Sequence, residues 1–152
     1  MKHMNIIFEK ETPQATDEAI AAFEDKTGLK LPDSYCNFLR EFNGGYPEEG
    51  LFEFNDDHGP NSSTVRSFLS LGEASDSLEN YLETYFGRLP ANALPIAYDD
   101  GGNLICLFFG DGQTEPPVVF WDHESENEDD ETTVFFLIAE NFESFCRELK
   151  PY

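Results

Sequence analysis

Apolar residues recur at a helical period near the start of the chain. Ile20 and Phe23 form a short apolar stripe. Thr16 stands where a residue could cap the amino end of this stripe, and Gly28 stands where it could end it. The sequence therefore predicts a first helix between Thr16 and Gly28.

A second helix is predicted after Pro32, a residue that suits the first turn of a helix. Its apolar face falls at positions i, i+3, i+4 and i+7 and consists of Tyr35, Phe38, Leu39 and Phe42. Asn43, Gly44 and Gly45 tolerate a positive φ, so we expect the helix to end there. Asn-Gly is also a hairpin-turn sequence, but the helical period before it favours a helix end.

The next segment alternates between apolar and polar residues. "LFEFN" from Leu51 has the period of a strand, and "VRSFLSL" from Val65 has the composition of one. Asp76 and Glu79 have the spacing of a capping box, which predicts a third helix. The inward face predicted for this helix is Leu78, Tyr81, Leu82, Tyr85 and Phe86.

The second half of the chain has the pattern of strands. "LPIAYDDGGNLICLFFGDG" predicts a hairpin that turns between Asp99 and Gly102, "PVVFWDH" predicts the next strand and "TVFFLIA" a last one. Asn141 can cap a final helix, whose inward residues are Phe142, Phe145, Cys146 and Leu149. This order predicts one α+β domain over residues 1–152, with residues 1–15 as an extended N-terminal segment. Its central sheet is mostly antiparallel, with helices in the N-terminal part, in the middle and at the C-terminus.

Charge narrows the classes of partner. The chain has 31 Asp and Glu against 9 Lys and Arg, a formal net charge of −22. A negative surface repels nucleic acid and anionic membranes and favours a cationic partner. No Lys or Arg lies between Arg88 and Arg147, whereas 13 Asp and Glu do, seven of them in "DHESENEDDE" at residues 122–131. The alternative is that the acids serve only solubility.

The sequence has no linear motif of a catalytic or metal site. Its three His residues share no ligand spacing with one another or with Cys36, Cys106 and Cys146, and nucleophile-elbow, Walker and dinucleotide motifs are missing. We therefore expect no enzyme activity, metal or cofactor, although two carboxylates brought together by the fold are an alternative route to acid–base chemistry. Scattered cysteines in apolar surroundings, without a signal-peptide apolar run, predict reduced thiols and a cytoplasmic location.

The candidate partner-binding residues are acids that lie near aromatic side chains, as in many protein interfaces. Tyr46, Phe52 and Phe54 are the aromatic residues of the first acidic region. Trp121, where a strand leads into the second region, is either a core residue or an interface anchor. The candidate set is Glu48, Glu49, Glu53, Asp56, Asp57, Trp121, Asp122, Glu124, Glu126, Glu128, Asp129, Asp130 and Glu131.

One stretch, "LKLPDSYCNFLREFNGGYPE", is similar to the signature of the SUKH superfamily, the group that includes the yeast Smi/Knr cell-wall regulators. "LPIAYDDGGNLICLFF" and "VVFWDHE" resemble the central strands of this superfamily, and "IAENFESFCREL" resembles its closing segment. The resemblance covers nearly all of the chain from Thr16 onward. It implies that the matching motif positions are scaffold residues, namely Leu31, Pro32, Tyr35, Phe38, Leu39, Asn43, Gly44 and Gly45.

The resemblance also implies a function in protein binding. Many bacterial members of the superfamily are immunity proteins, which neutralise toxins that pass between competing cells and are often nucleases. On this basis we expect an intracellular, monomeric immunity protein whose acidic surface covers a basic toxin. A regulatory or scaffolding protein of the same fold is the alternative, and an undetected enzyme is a more distant one.

Overall fold

The described residues, 6–7, 13–110, 115–124 and 134–151 of a computed structural model, form four helices and nine strands. The helices are α1 (Asp17–Thr27), α2 (Asp33–Glu41), α3 (Leu78–Thr84) and α4 (Phe142–Glu148). The strands are β1 (Ile6–Ile7), β2 (Tyr46–Pro47), β3 (Leu51–Asp56), β4 (Gly59–Thr64), β5 (Ser67–Phe68), β6 (Ala93–Tyr98), β7 (Leu104–Phe108), β8 (Val118–Trp121) and β9 (Phe136–Ala139). Most of the predicted N-terminal segment lies outside the described residues.

The ends of α1 and α4 are set by side chains that the sequence identifies. Thr16 Oγ1 accepts a hydrogen bond from the Ala19 backbone N–H at 3.1 Å, and Gly28 follows the helix with a φ of 75°. Asn141 Oδ1 accepts from the Ser144 N–H at 2.8 Å. Each cap satisfies an N–H group that has no partner within its helix. The predicted start and end of α1 and the predicted start of α4 are confirmed.

Helix α2 stops because three consecutive residues leave the helical region. Asn43, Gly44 and Gly45 have φ values of 51°, 98° and 107°. The Asn43 side chain is buried and bonds both backbone groups of Leu71, accepting from N–H at 2.8 Å and donating to the carbonyl at 3.1 Å. It also donates to the Pro13 carbonyl at 2.7 Å. The helix stop therefore fastens α2 to two distant segments of the chain.

Helix α3 differs from the prediction at both ends. Its cap is Ser77, whose Oγ accepts from the Asn80 N–H at 3.1 Å, and the predicted cap Asp76 instead gives its backbone carbonyl to the Ser70 N–H at 3.2 Å. The helix ends at Thr84. Phe86, which was predicted to face inward, therefore lies beyond the helix and is 89% exposed.

The predicted central antiparallel sheet is confirmed, and with the four helices it gives an α+β fold. Its strands lie in the order β5-β6-β7-β8-β9, and every neighbouring pair is antiparallel. β6 and β7 form the predicted hairpin around Asp99 and Gly102. The strand expected from Val65 is shorter, since only Ser67 and Phe68 belong to β5. β3 pairs with β4 in a separate hairpin, whose second strand the sequence pattern did not predict.

Both faces of the large sheet are buried along β6, β7 and β8, since nearly every residue of these strands is buried and successive residues point to opposite sides. One face belongs to a cluster that also contains residues of α1, α2, α4 and β3. Within it the ring of Phe54 stacks on that of Phe120 with 4.4 Å between centroids, and Phe38 lies 4.8 Å from Phe68. The opposite face, with Cys106 and Trp121, packs on residues of α3 and the segment that follows it.

The three cysteines are free thiols in this fold, and Cys36 and Cys106 are buried. Burial raises the pKa of the thiols of Cys36, Cys106 and Cys146 above the ordinary value. Desolvation disfavours the thiolate, which is the reactive form of cysteine. The cysteines therefore act as small apolar core residues.

Candidate functional site

The first acidic region, Glu48 to Asp57, includes the exposed face of strand β3. Glu53 points to solvent, while Phe52 and Phe54 on either side of it are only 2% and 7% exposed. Both aromatic residues are therefore core residues, and the prediction from the sequence that they form part of an interface is wrong. Alternation along β3 turns both rings inward, where they pack on Phe120 of the large sheet.

Positive side chains lie close to some of these acids. Lys150 Nζ is 3.0 Å from Glu53 Oε1, and a cavity of about 570 Å³ is lined by both residues together with Glu49 and Arg147. The backbone of Lys150 also pairs with Leu51, through bonds of 3.0 and 2.9 Å. This end of the hairpin therefore has both positive and negative side chains. Glu48, which precedes the hairpin, is exposed.

Asp56 holds the turn between β3 and β4. Its Oδ1 accepts the His58 backbone N–H at 2.8 Å, and its Oδ2 accepts the Asn61 amide at 2.8 Å. These two donors hold the pKa of Asp56 below its ordinary value. The Asp56 carboxylate therefore stabilises the turn. The neighbouring Asp57 is exposed.

Trp121 is a core residue, the first of the two roles that the sequence leaves open for it. Its side chain is 1% exposed and lies on the sheet face that α3 covers. The ring meets Tyr85 edge to face at 5.6 Å, and the Arg88 guanidinium lies 5.0 Å from its centroid. A partner could reach this indole only by displacing both side chains.

A chain of hydrogen bonds that the sequence did not predict joins the β3–β4 hairpin to the end of β8. Asp99, 6% exposed, accepts at Oδ2 from Ser63 Oγ at 2.8 Å and from Asn103 Nδ2 at 2.9 Å. Its Oδ1 accepts the backbone N–H groups of Gly101 and Asn103, at 2.9 and 2.8 Å. Asn103 Oδ1 lies 2.8 Å from His123 Nδ1. Because that oxygen can only accept, the proton of a neutral His123 belongs on Nδ1.

This chain of bonds, called the Asp99 network below, links the two predicted acidic regions. Ser63 lies opposite Phe52 in the hairpin, and His123 lies two residues after Trp121. Glu124 is exposed beside His123, with 3.8 Å between Oε1 and Nε2, and its N–H donates to Asp122 Oδ1 at 2.9 Å. The remaining candidate acids, Glu126, Glu128, Asp129, Asp130 and Glu131, lie outside the described residues.

In the described part of the chain, no three His, Cys, Asp or Glu side chains converge in a way that could hold a metal ion. The helices described here include none that is long and apolar enough to cross a membrane. Exposed charged and apolar side chains are therefore the candidate functional groups in the described ranges.

Comparisons with known proteins agree with this architecture. A match to the SMI1/KNR4 family (SUKH-1) extends over residues 14–148. The chain is also 31% identical over 145 residues to the SPbeta prophage-derived uncharacterized protein YokK of Bacillus subtilis (strain 168), which covers 86% of this chain and 72% of YokK. The helix stop at Asn43 and the Asp99 network both fall inside the family match.

Proposed function

We propose that this chain, which belongs to the SMI1/KNR4 family (SUKH-1), is a cytoplasmic immunity protein that binds and neutralises a basic protein toxin. The family is consistent with an immunity-type domain and suggests a protein partner. Inhibition is steric and electrostatic in this proposal, and it needs no catalytic residue. The toxin is of the nuclease class, because a nuclease needs Lys and Arg to hold phosphate and offers those groups to an acidic competitor.

The observation that carries the proposal is the position of the acids around the Asp99 network. Asp57 and Glu124 are exposed and belong to two segments that the network links, and the exposed Asp100, beside Asp99, has Arg66 Nε at 3.4 Å. In the sequence no Lys or Arg follows Arg88 until Arg147. A surface of this kind attracts a basic protein at long range and competes with phosphate for its cations.

Growth protection tests the proposal directly. The protein encoded by the neighbouring gene is expressed in a sensitive host with and without this chain. We expect arrest of growth by the neighbour alone and recovery when this chain is present, together with a complex of the two purified proteins. A neighbour that binds but is harmless would instead support the regulatory alternative, and a toxin that still kills would overturn the immunity proposal.

Association kinetics test the acidic surface. Binding of the verified toxin should be fast at low salt and should slow as the Debye length falls from about 30 Å at 0.01 M to about 8 Å at 0.15 M. Replacement of Glu126, Glu128, Asp129 and Asp130 by Ser should slow association in the same way. Replacement of Glu48, Glu49 and Glu53 shows whether the hairpin region also faces the toxin.

A charge-matched control separates local from global charge. Glu18, Asp25, Asp33 and Glu41 are exposed acids of α1 and α2 and lie outside both candidate regions. Their replacement by Ser changes the net charge as much as the replacement of Glu126, Glu128, Asp129 and Asp130 does. An equal loss of association rate in both variants would show that only total charge matters, and the toxin-facing surface would have to be sought elsewhere.

A further inference from the structure

An open groove lies on the side of the molecule formed by α1, α3 and the segment between β5 and α3. It has a volume of about 750 Å³, and Phe23, Leu82 and Phe86 are the large apolar residues among those that line it. Phe23 is 3% exposed, Leu82 is partly buried and Phe86 is 89% exposed. The groove therefore has a buried apolar base and an exposed aromatic ring.

Phe86 is held in place by the segment that follows α3. The Tyr85 carbonyl accepts the N–H groups of Arg88 at 2.9 Å and Leu89 at 3.1 Å, while the Tyr85 ring packs on buried Trp121. Phe86 is thus displayed from a turn that is tied to the core. An exposed aromatic side chain beside a groove is a common anchor of a protein interface, and a fixed backbone reduces the conformational entropy that is lost when a partner covers it.

The charges around the groove define what can cover this ring. Glu73 and Glu83 are exposed and Glu79 is partly buried, and Lys26 is the one basic residue among the groove-lining residues that the structure describes. An apolar ring surrounded by carboxylates fits a segment that carries both apolar and cationic side chains. A second copy of this chain, with its own net charge of −22, is a poor match for such a rim.

We propose that this groove docks a cationic amphipathic segment of the protein partner, with an apolar side chain of that segment packed against Phe86. The inference rests on the proposed function and adds a second contact to it. The groove suits the same partner, since Glu73, Glu79 and Glu83 on its rim have the charge that attracts the proposed basic protein. Charge steers the partner and the groove then sets the lifetime of the complex.

A peptide titration tests the groove without knowledge of the partner. The probe is a synthetic amphipathic helix of about 14 residues, roughly four turns, with Leu on one face and Lys on the other. We expect it to shift the backbone amide resonances of Ala74, Asn80 and Phe86 in nuclear magnetic resonance spectra. Control peptides replace every Leu by Ser or every Lys by Glu, and both should bind far more weakly.

Two variants locate the contact. Phe86→Ser should weaken binding of the Leu/Lys peptide by about tenfold or more, which is typical of an interface anchor. Leu137→Ser is the matched control, because Leu137 in β9 is another exposed large apolar residue, at 59%. It should leave the affinity unchanged. Both positions are exposed, so neither substitution should unfold the chain.

Several results would overturn the docking proposal. They are equal effects of the two variants, resonance shifts confined to the β3–β4 hairpin, and tight binding of the Ser/Lys peptide, which would reduce the contact to charge alone. Dimerisation of the free protein that Phe86→Ser abolishes would assign the groove to a second copy. If the Phe86→Ser variant still protects fully against a verified toxin, the groove has no part in immunity, while the proposed immunity function itself is supported. Failure of the unmodified protein to protect would overturn the proposed function and leave the peptide result intact.

Discussion

At the scale of single residues, Gly44 is a position where the structure leaves no room for a side chain. Its φ is 98°, and a Cβ there would lie 3.1 Å from Ser70 Cβ and 3.2 Å from the Phe68 carbonyl oxygen. We predict that Gly44→Ala lowers the free energy of unfolding by about 2–4 kcal/mol, since strain and crowding add.

Gly28→Ala is the control for this prediction. Gly28 also has a positive φ, 75°, but nothing lies within 4 Å of the added Cβ. The expected loss is only about 1 kcal/mol, from the backbone conformation alone. Urea unfolding of both variants measures the difference, and equal losses would show that the close approach to β5 has no energetic weight.

Asp99 and Asp100 are neighbours with opposite environments. Asp99 is buried with four donors around its carboxylate, whereas exposed Asp100 has Arg66 Nε at 3.4 Å. Asp99→Asn would turn an NH₂ group toward one pair of these donors, so we predict a loss of stability of about 1–3 kcal/mol. Asp100→Asn should cost less than about 1 kcal/mol. Thermal unfolding compares the two, and a smaller effect at Asp99 would contradict the importance of the Asp99 network.

At the scale of elements, the β3–β4 turn should respond to acid. The pKa of Asp56 is lowered in the folded protein by its bonds from His58 and Asn61. A lowered carboxyl pKa stabilises the fold above the ordinary pKa, and this contribution is lost as the pH falls through the folded value. The melting temperature of Asp56→Asn should therefore lie below that of the unmodified protein at about pH 6 and approach it at about pH 2. The matched variant Asp57→Asn should show no such convergence, and a constant gap for Asp56→Asn would contradict the assignment.

The elements also differ in how well the local sequence predicts them. Thr16, Gly28 and Asn141 act on backbone groups a few residues away, so their local pattern was sufficient to predict helix ends. The predicted start of α3 is wrong by one residue. Asp76 and Ser77 are both good caps, and the Asp76 backbone carbonyl is instead bonded by the N–H of Ser70. Strand β4 has no apolar alternation, and it forms because it pairs with β3 through backbone hydrogen bonds.

Exposure of the aromatic residues was the hardest property to predict. Asp122 follows Trp121 directly and Arg88 lies two residues after Phe86, yet Trp121 is 1% and Phe86 89% exposed. The difference depends on what covers each ring in three dimensions. Gly87, with a φ of 89°, was the one local signal that the helix ends before Phe86. The Asp99 network was missed for the same reason, since Ser63, Asp99 and His123 are distant in sequence.

At the scale of the whole molecule, like charges oppose folding. With 31 acidic and 9 basic residues, the folded chain concentrates negative charge that the unfolded chain spreads out. We predict that raising NaCl from about 0.01 M to about 0.15 M raises the melting temperature, because screening shortens the range of the repulsion. KCl should give the same increase at equal ionic strength. A response to one salt only would indicate specific ion binding instead.

The order of strands in the large sheet has a consequence for how this chain evolves. Each strand from β5 to β9 lies beside its neighbour in sequence, so residues 122–135 connect two adjacent antiparallel strands. Closing a longer connection costs only about 0.6 kcal/mol for each doubling of its length. Insertions, deletions and changes of charge in this one connection are therefore cheap, whereas Asn43 and Asp99 tolerate little change. A lineage that needs a different partner can change this one connection and inherit the rest of the fold.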